Sequence, residues 1–384
     1  MMKRFIAMAL TAVMTLAGCS GASQPSSGET PAAQAEGSAA APATQAEGST
    51  VAPVSDTYEL ALVTDLGTID DKSFNQGAWE GLVAYAEENG VTHKYYQPSE
   101  QSDDAYLGAI DLAVKGGAKI IVTPGYLFEV PVFLAQERYP DVNFILLDGS
   151  PHNEDYSVYE TAANTVGVTY AEEQAGFLAG YAAVKDGYTN LGFMGGMAVP
   201  AVVRFGFGFV QGAEYAADEL GIASIPMKYH YTGAFAATPE AQATAASWYN
   251  DGVEVIFACG GAVGNSVMSA ADQAGAKVIG VDVDQSGESD TVITSAMKGL
   301  SASVYDCIDN YYNNKFPGGE NLVFAANNAG VNLPLETSRF EKFSEADYEA
   351  IFALLASESI TLEANVDLPV TDLPVTIVAI TEVK

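Results

Sequence analysis

The chain reads as an α/β protein of two Rossmann-like lobes, each built on a parallel sheet, with a ligand cleft between the lobes. Three observations carry this reading. Apolar runs of strand length alternate with helix-periodic segments from Leu60 to Ala326, and such βα repetition builds mostly parallel sheets covered by helices. Leu60 to Val63 is apolar throughout, as a strand buried on both faces requires. The runs are also too numerous for one sheet of ordinary width, so two sheets are expected.

The elements follow in order. Leu60 to Val63 is a strand that breaks at Asp65 and Gly67. Ser73 then opens a helix, with Gln76 three residues on as the other half of a capping box. Phe74, Ala78, Leu82 and Ala86 recur at helical spacing, which gives that helix a face for the core. His93 to Tyr96 is the next strand, and Ser102 caps a helix that ends at Lys115 before Gly116-Gly117. Lys119 to Thr123 and Asn143 to Leu147 are strands around a helix near Val130 to Tyr139, and the second of them stops at Asp148-Gly149. Thr165 to Val168 precedes a helix over Glu172 to Val184. A second series starts with LGFMGG at Leu191, followed by a long helix from Val202 to Leu220. Met227 to Tyr231, Val255 to Ala258 and Lys277 to Val281 are strands, with helices at Pro239 to Asp251 and Gly264 to Ala274 between them. Val292 to Ser295, a helix over Ser303 to Asn313, and Val323 to Ala326 close the series.

Composition narrows the function classes. The 384 residues carry a formal net charge of −33, so no nucleic acid is expected as a partner, because phosphate backbones are held by Lys and Arg. Lys3 and Arg4 precede an apolar run, Phe5 to Leu16, that is too short to anchor stably across a bilayer. Leu16-Ala17-Gly18-Cys19 resembles a lipobox. That resemblance implies a lipoprotein signal peptide over residues 1–18 and lipidation of Cys19, with an ordinary secretory signal as the alternative. Residues 19–55 are rich in Ala, Ser, Thr, Pro, Gln and Gly, too poor in large apolar side chains to fold, and read as a disordered linker. Cys259 and Cys307 read as small buried side chains. No paired metal-ligand spacing is present, and neither metal nor cofactor is expected.

Asp65, Asp148 and Asp282 each follow an apolar strand at its carboxyl end, so all three can face one crevice, where open α/β sheets bind small ligands. Any one of them alone reads as a helix cap or a loop turn. Gly195-Gly196 and Gly260-Gly261 suit sharp turns or close backbone approach to a ligand. There is no phosphate-loop signature and no nucleophile elbow, and the expectation is a binding protein, not an enzyme. Asp65, Asp70 and Asp71 resemble the calcium-holding DTDPGxDD motif of nucleoside hydrolases. Val63 stands at the first Asp of that motif, Leu66 replaces the proline, and an extra residue separates Gly67 from Asp70. Asp70 and Asp71 are more simply anions near a helix N-terminus.

TDLGTIDDKSFNQGAWEGL, GGMAVPAVVRFGFGFVQG, ACGGAVG, VIGVDVDQ and VITSAMKG, in that order, resemble the motifs of the BMP (basic membrane protein) family of bacterial lipoproteins. The likeness covers nearly everything after the linker. It implies a type I periplasmic-binding-protein fold whose chain crosses between lobes three times. The first lobe would then hold residues 56–165 and 287–318, and the second 166–286 and 319–384, with Val292 to Asn313 returning to the first. It further implies a lipid-anchored receptor on the extracytoplasmic face of the cell membrane, serving an ABC importer whose permease and ATPase are other chains. The implied ligand is a purine nucleoside: guanosine, inosine or adenosine. Phe74 and Phe235 would cover the two faces of the base, each contact worth ~0.5–1.5 kcal/mol beyond area burial. Asp65, Asp282 and Lys298 would share the ribose hydroxyls, with Asp148, Asn75 and Gly261 nearby. A sugar receptor of the same fold and a nucleoside hydrolase are the alternatives.

Overall fold

The computed structural model describes residues 57–65 and 67–383. The expected signal peptide over residues 1–18, the expected lipidation at Cys19 and the expected linker over residues 19–55 therefore lie outside the described residues. The first series runs β1 (Leu60–Val63), α1 (Phe74–Asn89), β2 (His93–Tyr96), α2 (Asp103–Lys115), β3 (Ile120–Pro124), α3 (Glu129–Arg138), β4 (Asn143–Leu147) and β5 (Thr165–Tyr170). The second runs α4 (Glu172–Asp186), β6 (Leu191–Gly195), α5 (Pro200–Leu220), β7 (Ile225–Tyr231), α6 (Pro239–Asn250), β8 (Val255–Cys259), α7 (Val263–Ala274) and β9 (Lys277–Asp282). Then come β10 (Val292–Lys298), α8 (Leu300–Tyr312), β11 (Asn321–Phe324), β12 (Val331–Asn332), α9 (Glu345–Ala356) and β13 (Val378–Glu382).

Two sheets result, in the orders β11-β5-β4-β3-β1-β2 and β12-β10-β9-β8-β6-β7-β13. Every pairing is parallel except that of β12 with β10. In the first sheet, alternate residues of one strand feed two separate cores. Leu60 and Leu62 pack with α1 and α8 on one face, and Ala61 and Val63 pack with α2 and α3 on the other. β1, β3 and β4 are buried almost along their whole length, which is why they read as apolar runs, whereas the edge strands β2 and β11 are partly exposed.

The lobe boundaries differ from the expected ones. β10 lies in the second sheet, beside β9 with Ser295 opposite Gly280, and does not return to the first lobe. α8 does return, packing on α1, and β11 pairs with β5 in the first sheet. The chain therefore crosses near Ala171, at Gly299 and over residues 325–330. An apolar run specifies a strand but not its neighbour, and pairing register alone decides which sheet it joins. β13, which sequence reading did not resolve, completes the edge of the second sheet against β7.

α4 and α5 approach backbone to backbone. A Cβ at Gly176 or Gly180 would run into the Phe205 or Phe209 carbonyl, and one at Gly208 or Gly212 into the Glu173 or Phe177 carbonyl. This contact sets α5's first turn beside the start of α4. Cys259 and Cys307 are both buried and free, in β8 and α8. Among the described residues, no helix is long and apolar enough to cross a membrane.

Candidate functional site

The loop between β1 and α1 is organised by Asp71. Its carboxylate accepts hydrogen bonds from the backbone N–H of Ser73 (2.9 Å), Asn75 (3.0 Å) and Gln76 (3.1 Å). These are orphan donors of the first helical turn, and an anion there is favoured by both hydrogen bonding and the helix dipole. The expected Ser73–Gln76 capping box is absent, because Ser73 makes no side-chain cap bond. Gln76 Oε1 accepts instead from the Lys72 N–H at 3.2 Å. The Ser73 hydroxyl is thereby free to donate to Asp282 Oδ2 at 2.5 Å. Asn75 Nδ2 donates to both Asp65 Oδ1 and Asp71 Oδ2, each at 2.9 Å, and Asp65 Oδ1 also accepts from the Gly67 N–H at 2.6 Å. Burial nevertheless holds the Asp65 carboxyl above its ordinary value.

Asp148 and Asp282 occupy equivalent places, at the ends of β4 and β9, with φ of 57° and 67°. That left-handed conformation is uncommon outside glycine but enriched in Asp, and it turns the chain sharply as it leaves each strand. On the second lobe, Gly196 leaves room for the Phe235 ring, which a Cβ there would strike. Gly261, at φ 54°, lies beside the Phe235 carbonyl.

These groups meet in one cavity of about 600 Å³ between the lobes, within the ~300–1,000 Å³ usual for small-molecule sites. All eight residues singled out from the sequence line it: Asp65, Phe74, Asn75 and Asp148 from the first lobe, and Phe235, Gly261, Asp282 and Lys298 from the second. Apolar side chains that the sequence did not single out, among them Met197, Val202 and Phe205, line it as well.

Lys298 ends β10, just before the Gly299 crossing, and is almost fully buried. Its Nζ lies 2.5 Å from Asp148 Oδ2 and 3.1 Å from Glu172 Oε1, and 4.9 Å from the centre of the Phe74 ring. Glu172 has no exposure at all and also accepts from Arg204 Nε at 2.6 Å, while Glu173 stands 3.9 Å from the same nitrogen. A buried ammonium between two carboxylates keeps its proton, so Lys298 is held above its usual range. Glu172 faces two cations and is lowered despite burial. Asp148 shares only Lys298, and its Oδ1 has no partner. Burial raises that carboxyl to about 7 against the pull of Lys298, with Glu172 and Asp282 repelling a further charge. Glu172 escaped sequence reading because an acid in a helix's first turn looks like an ordinary dipole partner. Nothing local reveals that it is buried.

The likeness to known proteins agrees with this geometry. Residues 58–361 match the family model Bmp, described as ABC transporter substrate-binding protein PnrA-like. The ABC transporter nucleoside-binding protein BmpA of Lactococcus lactis subsp. cremoris (strain MG1363) is 32% identical over 304 residues, covering 73% of this chain and 82% of that one. Basic membrane protein A of Borreliella afzelii is 31% identical, with 80% and 92% covered. Among solved structures, an ABC transporter solute-binding protein from Aeropyrum pernix K1 aligns with a TM-score of 0.65 at 25% identity, over 82% of this chain and 83% of its own. Another from Conexibacter woesei DSM 14684 aligns at 0.64 and 22% identity, covering 80% and 99%, and shares the fold. The chain belongs to the Bmp family of PnrA-like ABC transporter substrate-binding proteins.

Proposed function

We propose that this substrate-binding protein is a lipid-anchored extracytoplasmic receptor that captures a purine nucleoside between its lobes and delivers it to an ABC permease and ATPase. The observation that carries the reading is the make-up of the cavity. One aromatic ring comes from each lobe, Phe74 and Phe235, and the carboxylates of Asp65, Asp148 and Asp282 stand at three strand ends around the same space. A flat base suits aromatic faces. A ribose diol suits ionised acceptors, whose charge-assisted bonds are worth ~1.5–3 kcal/mol each. The nucleoside-binding name of the Lactococcus relative supports the same ligand class. In this reading Asp65 and Asp282 take the sugar hydroxyls, Lys298 donates beside Asp148, and Asn75 and Gly261 border the base and sugar. Anchoring rests on Cys19.

Both Asp71 oxygens are engaged by the first turn of α1, which supports the receptor reading over the calcium-dependent one. The decisive experiment is a thermal-shift screen of inosine, guanosine, adenosine, the free bases, ribose and other monosaccharides, because ligand binding to the native state raises its apparent stability. Nucleosides should raise the melting temperature and come back chemically unchanged. A response to monosaccharides alone would replace the proposal with the sugar-receptor reading, and liberation of free base would replace it with the hydrolase reading.

A further inference from the structure

The residues that follow β9 reach out of the second lobe into the first. Val283 packs against the α1 and α8 side of the first lobe's core, in the space left by Gly77, whose Cβ would lie 2.9 Å from Val283 Cγ1. Gln285 is almost fully buried. Its own lobe fixes it twice, through Val281 N–H to Oε1 (3.1 Å) and its N–H to Ser295 Oγ (3.0 Å). Its remaining amide donor crosses to the Lys72 carbonyl at 2.7 Å. One residue on, the buried Ser73 hydroxyl crosses back to Asp282 Oδ2. Lys72 Nζ also stands 3.7 Å from Glu288, but both side chains are solvated, so this pair adds little.

We infer that the Ser73–Asp282 and Gln285–Lys72 bonds form a latch between the lobes that closes without ligand, and that Ser73 is a positioning residue for the Asp282 carboxylate. Two features support it. The groups on both sides are polar atoms that water can satisfy when the lobes part, so the bonds hold the closed form only by their net worth and stay reversible. The hydroxyl that reaches Asp282 is chemically the same donor as a sugar hydroxyl, so Asp282, which lines the cavity, is held at one of its two oxygens. The latch borders the site, since Ser73 precedes Phe74 and Asp282 lines the cavity, and its opening is the step that lets ligand leave.

The part of this inference that concerns release rests on the nucleoside reading; the part that concerns closure does not. Cysteines at Leu112 and Leu220, exposed positions on the first and second lobes, can carry spin labels in the full chain with Cys19→Ser, since Cys259 and Cys307 are buried. In the unliganded protein, Ser73→Ala should add a second population to the interlobe distance distribution, which inosine then removes. Gln285→Glu, which keeps the acceptor for Val281 and loses the donor to Lys72, should do the same. Inosine should dissociate about tenfold faster from Ser73→Ala, the cost of roughly one charge-assisted bond, and about fivefold faster from Gln285→Glu, which loses a neutral one, with its association rate little changed. An unliganded distribution identical to the parent's in both variants would overturn the latch even where nucleosides bind normally. A shifted distribution in a protein that binds no nucleoside would keep the latch and remove the ligand reading.

Discussion

Glu173 and Asp148 both titrate at about 7 in the folded chain, because burial disfavours their charged forms. Each therefore holds a proton between about pH 4 and 7 that it has lost in the unfolded chain. The folded state binds more protons across that window, so stability falls as pH rises through it. Glu172, lowered by Lys298 and Arg204, acts in the opposite sense, and its contribution disappears only at more acidic pH. The unliganded protein should melt higher at pH 5.5 than at pH 8. Glu173→Gln should flatten that slope and be on the order of 1–2 kcal/mol more stable than the parent at pH 8, as chemical denaturation at both pH values would reveal. Asp65 makes the other residue-scale case. In the proposed binding mode, removing its carboxylate leaves a sugar hydroxyl unpaired, and it takes one acceptor from Asn75. Asp65→Ala should weaken inosine binding by roughly one to two decades by calorimetry, and binding equal to the parent's would move the sugar elsewhere. The three strand-end aspartates were legible because position at a parallel strand's carboxyl end carries chemical meaning on its own. Glu172 was not, since the neighbours that make it unusual, Lys298 and Arg204, are distant in the chain and meet it only after folding.

At the level of elements, the α4–α5 contact depends on four glycines, of which sequence reading touched only Gly208 and Gly212, as part of a motif. Gly180 faces the Phe209 carbonyl, a backbone atom that cannot swing away. Gly180→Ala should cost about 1–3 kcal/mol through forced separation of the two helices. The cost should extend to ligand affinity, because α5 brings Val202 and Phe205 to the cavity. Gly221→Ala is an informative contrast: it has open space around it but a left-handed φ of 66°, so it should be destabilised by backbone strain with affinity unchanged. Helices and strands were legible from period and punctuation, and β1, β2, β4 and α1 fall close to where the pattern puts them. The cap of α1 was misread because two plausible caps compete within three residues. The carboxylate of Asp71 wins over the Ser73 hydroxyl since it satisfies three N–H groups at once. The assignment of β10 to the first lobe failed for the different reason that sheet membership is a long-range property.

For the molecule as a whole, both lobes contribute lining to the one cavity described above. The cavity draws an aromatic ring and acidic groups from both sides, so a ligand that touches both lobes favours the form in which they meet by its differential affinity for it. Anchoring is a separate whole-chain prediction. Cys19 should carry lipid and the protein should fractionate with membranes, while Cys19→Ser should release it or leave it unprocessed; a mature N-terminus well downstream of Cys19 would contradict this. The central claim, that base and sugar are held together between the lobes, is tested most directly by titrating the parent, Phe74→Ala and Phe235→Ala calorimetrically with inosine, hypoxanthine and ribose. The account predicts that inosine binds the parent far more tightly than either fragment. It also predicts that each ring removal weakens inosine by up to about tenfold, from ~0.5–1.5 kcal/mol of aromatic contact. Ribose binding as tight as inosine, or inosine binding unchanged in both variants, would contradict it.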